Sequence, residues 1–542
     1  MKYLKCLFLL AILSAVFSAA TGQVPVVSLS ADFNVPDDGW DKLLQLRNGN
    51  TCYLNFSRKS GLIVTMYNSK HELTAVDTTA ARLWKADDLE SSELDGIFEI
   101  NGQPVIFIQQ LVKNLPVLYR LVLDPVSGKL QQEDKLGELP SVQHRSVLVD
   151  DNLASHDFFV EKDPRSDHYA IAAFTGTPIQ KNDSLRTRVT VTHYGPQHAV
   201  LNKGLFYLAD TAYNYFSYIN MAVSRDRIYL STVGFNTKKE TGNNVSRVLF
   251  SVLSPDSATF SHQLLNTGRE PGNVSGAVQY LPALDQVRLL LHIPGQQTDG
   301  NSGSEIFQFS ASTGKLRKHA NLVFPELDRN AQTNLGYQQP FKGTPQRWRT
   351  NEDGSSVLLL ENLSFFKQGN SQVNKFHTNF GDLGIAMLDS SGRENNTVAI
   401  SKYQVVTGIC EPFQLQRRVK SEWVFRNKIA ALNTNTYMSY DFVQIPNASF
   451  VLFNDYLQYL ETGGAERTRK PLKYPVDANF VCYRFYNGKM DRLFLFGTPE
   501  TTKGYACLMG AADYDASSKV YATILISRKG LERKANIAWI QF

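Results

Sequence analysis

One pattern recurs down almost the whole chain: an apolar strand, a tight turn, and a second short strand. DPVSGKLQQ (124–132) and SASTGKLRK (310–318) are two copies, each following an apolar run, LYRLVL and EIFQF. Further copies are VTMYNSKHEL, VTVTHYGPQHAVL, FSVLSPDSATF, IAMLDSSGRENNTVAI and VCYRFYNGKMDRLFLF. Their turns use Gly, Asn, Asp, Pro and Ser, which supply the backbone angles or side-chain hydrogen bonds that a hairpin needs. The turns centre near Ser69, Ser127, Gly195, Asp256, Thr313, Ser391 and Gly488, most of them about 60 residues apart. Two more apolar strands precede each hairpin, as GIFEING and PVIFIQQL precede VLYRLVL. Four antiparallel strands per unit, repeated at a nearly fixed period, predict an all-β fold, a single β-propeller. The units count as eight blades, or seven if one weak unit is an insertion. Two or three separate β-sandwiches are the competing reading.

The final unit favours the ring. It holds GYACLMGAADYD, VYATILISR and NIAWIQF, three strands where the pattern needs four. The segment VPVVSLS (24–30) is a strand without a unit. Pairing it beside NIAWIQF completes the last blade, closes the ring and removes an exposed edge. Residues 23–542 are therefore expected to be one propeller domain, with 24–30 as its closing strand and 404–435 as an insertion between blades. Helical periodicity is scarce, and RLWKADDLESSELDG (82–96) is the one segment expected to form a short helix.

Residues 1–22 read as an export signal. Lys2 and Lys5 precede an apolar core, and Ser18, Ala19, Ala20 and Gly22 offer cleavage points. The run is short for a membrane span, so a soluble periplasmic or extracellular monomer is expected. Cys52, Cys410, Cys482 and Cys507 then remain. They are too few for a disulfide scaffold, and no CxxC pair or Cys/His cluster predicts a metal. A net charge of +5 over 542 residues gives no reason to expect nucleic acid.

Strands labelled A to D from the axis outward alternate in direction. B–C and D–A connections therefore share one face of a propeller, and A–B and C–D turns share the other. Long B–C loops are expected in five successive blades: TGTPIQKNDSLRTR, GFNTKKETGNNVSR, PGQQTDGNSGSE, SFFKQGNSQVNKFHTNFGD and NDYLQYLETGGAERTRKPLKYPVDAN. Long loops on a rigid scaffold are a usual place for binding. Polar groups at the ends of B strands would sit near the channel mouth on that face: Gln109, Gln110, Asn236, Glu361, Asn362, Asn454, Asp455 and Arg528. Trp348 and Tyr456 could stack on a sugar or peptide. Arg417, Arg418, Lys420, Arg426 and Lys428, with Arg467, Arg469, Lys470 and Lys473, add cationic runs suited to an anionic glycan.

No G-x-S-x-G elbow, H-E-x-x-H pair, calcium loop or phosphate-cradling P-loop occurs. The ten histidines are scattered, and a propeller would gather His156 and His292 only from different blades. The NGNT and NGQPVIF phrases and the terminal IAWIQF resemble exported propeller-type proteins of the Bacteroidota. That resemblance implies a ring fold and export and brings no activity with it. The expected function is non-catalytic binding or scaffolding of a glycan, peptide or envelope protein, with no cofactor. A hydrolase or lyase acting on a sugar or lactone, and a structural envelope component, are the alternatives.

Overall fold

The computed structural model describes residues 24–36, 39–57, 60–85, 87–141, 148–149, 152–176, 188–206, 213–236, 245–267, 273–295, 303–368, 375–417, 421–422, 437–457, 472 and 477–542. Its strands form eight four-stranded antiparallel blades. Blades 1 to 4 span 40–78, 92–138, 157–205 and 215–265. Blades 5 to 7 span 275–322, 344–400 and 440–493. Blade 8 combines 503–541 with Val26–Leu29.

The strand chemistry follows from this stacking. Inner strands have neighbouring blades against both faces, so the B strand Ile228–Asn236 is buried along its whole length. Outer strands such as Leu73–Thr78 and Leu130–Glu138 are exposed at alternate positions or more. The core lies between blades. Leu54 and Val64 of blade 1 pack with Leu94 and Ile106 of blade 2, and Val248 and Phe250 of blade 4 pack with Leu289 and Phe307 of blade 5. The SGK turn of blade 2 fits the seam with blade 1. Gly128 adopts φ +72°, and a Cβ there would lie 2.7 Å from Cγ1 of Val64.

The ring closes through the expected pairing. Val26 to Leu29 lie antiparallel to Gln541 to Ala538. Beyond the ladder, Ser30 N–H donates to Ile537 O at 2.9 Å, and Ile537 N–H donates to Ser30 Oγ at 2.9 Å. Buried Trp539 stacks on His71 of blade 1 at 4.1 Å and donates to Thr51 Oγ1 at 2.9 Å. The closing blade is thereby fixed to the first.

Two details differ from the sequence reading. Residues 82–96 form no α-helix: Leu89–Ser91 is one 3-10 turn, and Ser92–Ile100 is the A strand of blade 2. Side chains of that blade take over the segment's amides. The Glu133 carboxylate accepts from the N–H groups of Arg82, Leu83 and Trp84, and Gln110 holds both polar groups of Lys85. An unforeseen helix, Pro325–Leu335, links blades 5 and 6. Pro at its start, Glu326 and Asp328 in its first turn and Gly336 at φ 69° are ordinary helix signals. Its buried stripe is only Leu327 and Ala331, and its N-terminal amides are capped from blade 6 by Glu394.

The described part of the expected 404–435 insertion, residues 404–417 and 421–422, behaves as a strap. Gln404–Thr407 pairs with the outer end of the blade 6 C strand, and Ser421–Glu422 pairs with the A strand of blade 2. Blades 6 and 2 are opposite in a ring of eight, so the chain crosses the axis between them.

Candidate binding face

The strap closes the axis on the long-loop face. Phe413 N–H donates to Pro345 O at 2.7 Å and Gln416 N–H to Gln346 O at 3.0 Å, both on blade 6. The Arg417 guanidinium reaches Ile219 O of blade 4 at 2.9 Å. Ile219 and Gln346 sit at β-bulges, which free a carbonyl from the ladder. Below the strap, Tyr218 donates to Glu161 at 3.4 Å and stacks on Phe159 at 3.8 Å. Burial pushes the Glu161 carboxyl up to about 7, against the pull of Arg417 and the Tyr218 hydroxyl. Asp513 is likewise pushed up to about 6 by burial, although Gln45 N–H donates to it at 2.7 Å.

Turns tie the other face across the axis. Arg47 of blade 1 pairs with Glu99 of blade 2 at 3.0 Å and with Asp167 of blade 3 at 2.8 Å. Arg165 of blade 3 donates to Tyr280 O of blade 5 at 2.9 Å. In the same turn Asp163 accepts from Arg165 N–H and the Ser166 hydroxyl. His156 uses both ring nitrogens on Pro140 O and Gly176 N–H, and His292 contacts Ser304. Among the described residues, no three His, Cys, Asp or Glu side chains are grouped as a metal site. All four described cysteines are free thiols in the core. Burial pushes Cys52 and Cys410 up to about 12, so neither is poised as a nucleophile.

The polar groups at the B-strand ends do not converge on one mouth. Gln110 holds Lys85, Asp88 and Ser92 within blade 2. Gln109 is buried beside it. Asn236 accepts from Asn214 N–H at 2.7 Å. Asn362 donates to the Tyr337 hydroxyl at 3.2 Å. Glu361 is fully buried between blades 6 and 7, in contact with Lys402 and accepting from Ser439 at 2.5 Å. Burial raises Glu361 and lowers Lys402, while the attraction between them opposes both shifts. Asn454 donates to Tyr437 O and Cys507 O, each at 2.8 Å, and accepts from Cys507 N–H at 3.0 Å. Asp455 is buried and accepts from Tyr456 N–H. Trp348 lies in the core with Leu358, Phe341 and Phe413. The tips of the five long loops and most of the two cationic runs lie outside the described residues.

Arg528 is placed differently. It lines a crevice between blades 7 and 8, on the long-loop face, together with Tyr437, Ala478, Gly504, Ala506, Ile526 and Arg533. The crevice is open to solvent and encloses a volume of only about 20 Å³. Arg528 stands directly opposite Arg533 on the paired B and C strands.

A second open feature rises from blade 6 on the same face. Its B and C strands, Ser356–Gln368 and Lys375–Leu388, outrun the blade and pair as far as Gln368 with Lys375. With Gln404–Thr407 they form a three-stranded arm. Phe365 is 52% exposed and Phe376 48% exposed, on the same side of the arm, with Ile409 at 59% in the segment that follows the third strand beside Phe376 and Thr378. The Lys367 ammonium lies 5.9 Å from the Phe376 ring. Neither these aromatics nor Arg533 and Tyr437 were singled out by the sequence reading. The alternation in SFFK and KFH was the available signal, masked by its place inside a long loop.

No protein-family model and no curated protein matches the sequence. Among solved structures, prolyl oligopeptidase B from Galerina marginata is similar at 9% identity and a TM-score of 0.39, over 93% of this chain and 55% of that one. The chain thus spans about half the length of that protein. Polysaccharide lyase Uly1 is similar at 9% identity and a TM-score of 0.38, over 82% of this chain and 89% of that one. The Synechocystis apocarotenoid oxygenase follows at 11% identity and 0.30, over 66% and 70%. Likenesses this distant carry no argument about function.

Proposed function

We propose that this protein is an exported, non-catalytic binding propeller that takes a glycan on its long-loop face. The observation that carries the reading is the arm of blade 6. It presents two half-exposed phenylalanine rings and a lysine on a sheet that extends beyond the blade's own packing needs. Exposed rings on a rigid ladder offer flat apolar surface at little conformational cost, and stacking on the apolar face of a sugar uses that surface. Export is the expectation carried by residues 1–22.

The test is a titration of saccharides onto the wild type and onto a Phe365→Ala/Phe376→Ala double variant. Loss of at least tenfold in affinity with an unchanged melting temperature is expected. Equal affinity in the two proteins would refute the arm as the contact surface. The alternative of a hydrolase or lyase has one observation in its favour, the Glu161–Tyr218 pair beside Arg417 near the axis. That pair has one carboxyl and no second acid among the groups that shift it, which is why binding on the outer face is preferred.

A further inference from the structure

We infer that the crevice between blades 7 and 8 is a subsite for the negatively charged group of an acidic saccharide, a uronate carboxylate or a sulfate, gripped by Arg528 and Arg533. This rests on the glycan-binding reading above and names the class of sugar. The register sets the two arginines as a directly opposed pair, Arg528 with Arg533, on neighbouring antiparallel strands. Like charges in that position repel, and a sheet gains nothing by placing them there. Several arginines elsewhere in the ring are neutralised, as Arg47 by Glu99 and Asp167, Arg120 by Asp134 and Arg484 by Asp491, and others such as Arg288 and Arg417 donate to backbone carbonyls. Neither Arg528 nor Arg533 has a carboxylate or hydrogen-bond partner among the described residues. The crevice is otherwise lined by one phenol and small or aliphatic side chains, with no acid.

Gly504 forms part of this arrangement. A Cβ at that position would come within 3.1 Å of the Arg528 Nη2 and 2.8 Å of Asn479 Oδ1. The missing side chain lets the guanidinium lie against the strand backbone at the crevice floor. Two guanidinium groups with parallel donors are the usual grip on a planar carboxylate or a sulfate. The enclosed space is small, so the crevice would take the charged group and leave the sugar ring in solvent. The rest of such a chain would continue over the same face, on which the aromatic arm also stands.

The experiment uses the full chain and three probes: a galacturonate tetramer, a sulfated chondroitin tetrasaccharide and a neutral galactan tetramer. Melting temperature and titration calorimetry are read for the wild type, Arg528→Gln, Arg533→Gln and Phe365→Ala/Phe376→Ala. At least one acidic probe is expected to bind the wild type at least tenfold more tightly than the neutral one. Each arginine variant should lose that preference and fall to the neutral level, with no fall in its ligand-free melting temperature. An acidic preference that survives both arginine changes overturns the subsite, as does equal binding of acidic and neutral probes. Neutral binding that depends on the arm while the arginines are silent leaves the glycan reading standing and removes only the subsite. No binding of any probe removes both. Binding of an acidic peptide through the same arginines, with no saccharide bound, overturns the assignment to a sugar.

Discussion

The seams on either side of blade 7 carry similar residue types and treat them in opposite ways. Between blades 6 and 7, Glu361, Lys402, Ser439, Gln404 and Asn454 form one enclosed network. Between blades 7 and 8, Arg528 and Arg533 face each other across an open crevice. A polar side chain at the end of a B strand is therefore not a site in itself. In one seam it replaces backbone partners that the joint between blades lacks. In the other, Asn454 bonds Cys507 across the joint, while Arg528 has no hydrogen-bond partner among the described residues.

The largest effect should come from breaking the enclosed seam. Lys402→Met leaves Glu361 buried beside an apolar side chain, and removing one partner of a buried pair costs about 3–5 kcal/mol. Chemical denaturation should show that loss, and the double variant Lys402→Met/Glu361→Leu should recover most of it. A single variant that unfolds like the wild type would mean that water reaches the pair and that the two seams are alike.

Next comes the seam that the chain ends make. Removing residues 24–30 takes away four paired positions and the two Ser30 bonds to Ile537. At about 1 kcal/mol per net hydrogen bond, with some compensation by water, a loss of about 3 kcal/mol is expected. The exposed edge of Glu532–Gln541 should also promote aggregation. A truncated protein that melts and stays monomeric like the full one would show that blade 8 closes without its outer strand.

These contrasts also mark what the sequence made legible. The eight blades could be read because hairpin turns need particular residues, and because inner strands packed on both faces are continuously apolar. The closing strand could be read because three strands want a fourth. The fate of Gln110, Glu361 and Asn454 could not, since their partners lie 17 to 78 residues away, across turns and seams. The aromatic arm was hidden because sequence alone does not say where a B–C loop stops being strand. Helix Pro325–Leu335 was hidden because its first amides are capped by Glu394, far along the chain.

A third effect separates the axis from both seams and follows pH. The Glu161 carboxyl titrates near 7 in the folded chain and near its ordinary value of 4.5 when unfolded. Between those values the folded protein holds a proton that the unfolded chain has released, so stability falls as pH rises through that window. The contribution is about 3 kcal/mol at most. Glu161→Gln should flatten that part of the stability profile between about pH 4.5 and 7. Asp513, with the same sign, should keep a smaller slope at its lower end. An unchanged slope in the variant would place Glu161 in contact with bulk water.

The smallest effect bears most directly on the comparison. If the arginine pair is kept for a ligand, it weakens the empty protein slightly. Opposed like charges on paired strands cost a few tenths to about 1 kcal/mol. Arg533→Gln should therefore raise the melting temperature a little at low ionic strength, and the gain should vanish at high salt, where exposed charges are screened. Arg528→Gln should behave in the same way, because either change removes the same repulsion. The sign decides the matter. A fall in stability on losing either guanidinium would mean that the arginines hold blade 8 against blade 7, as Asn454 does through Cys507. The open seam would then be a structural joint after all. A gain that salt abolishes cannot come from a joint, since a joint loses stability when a member is removed.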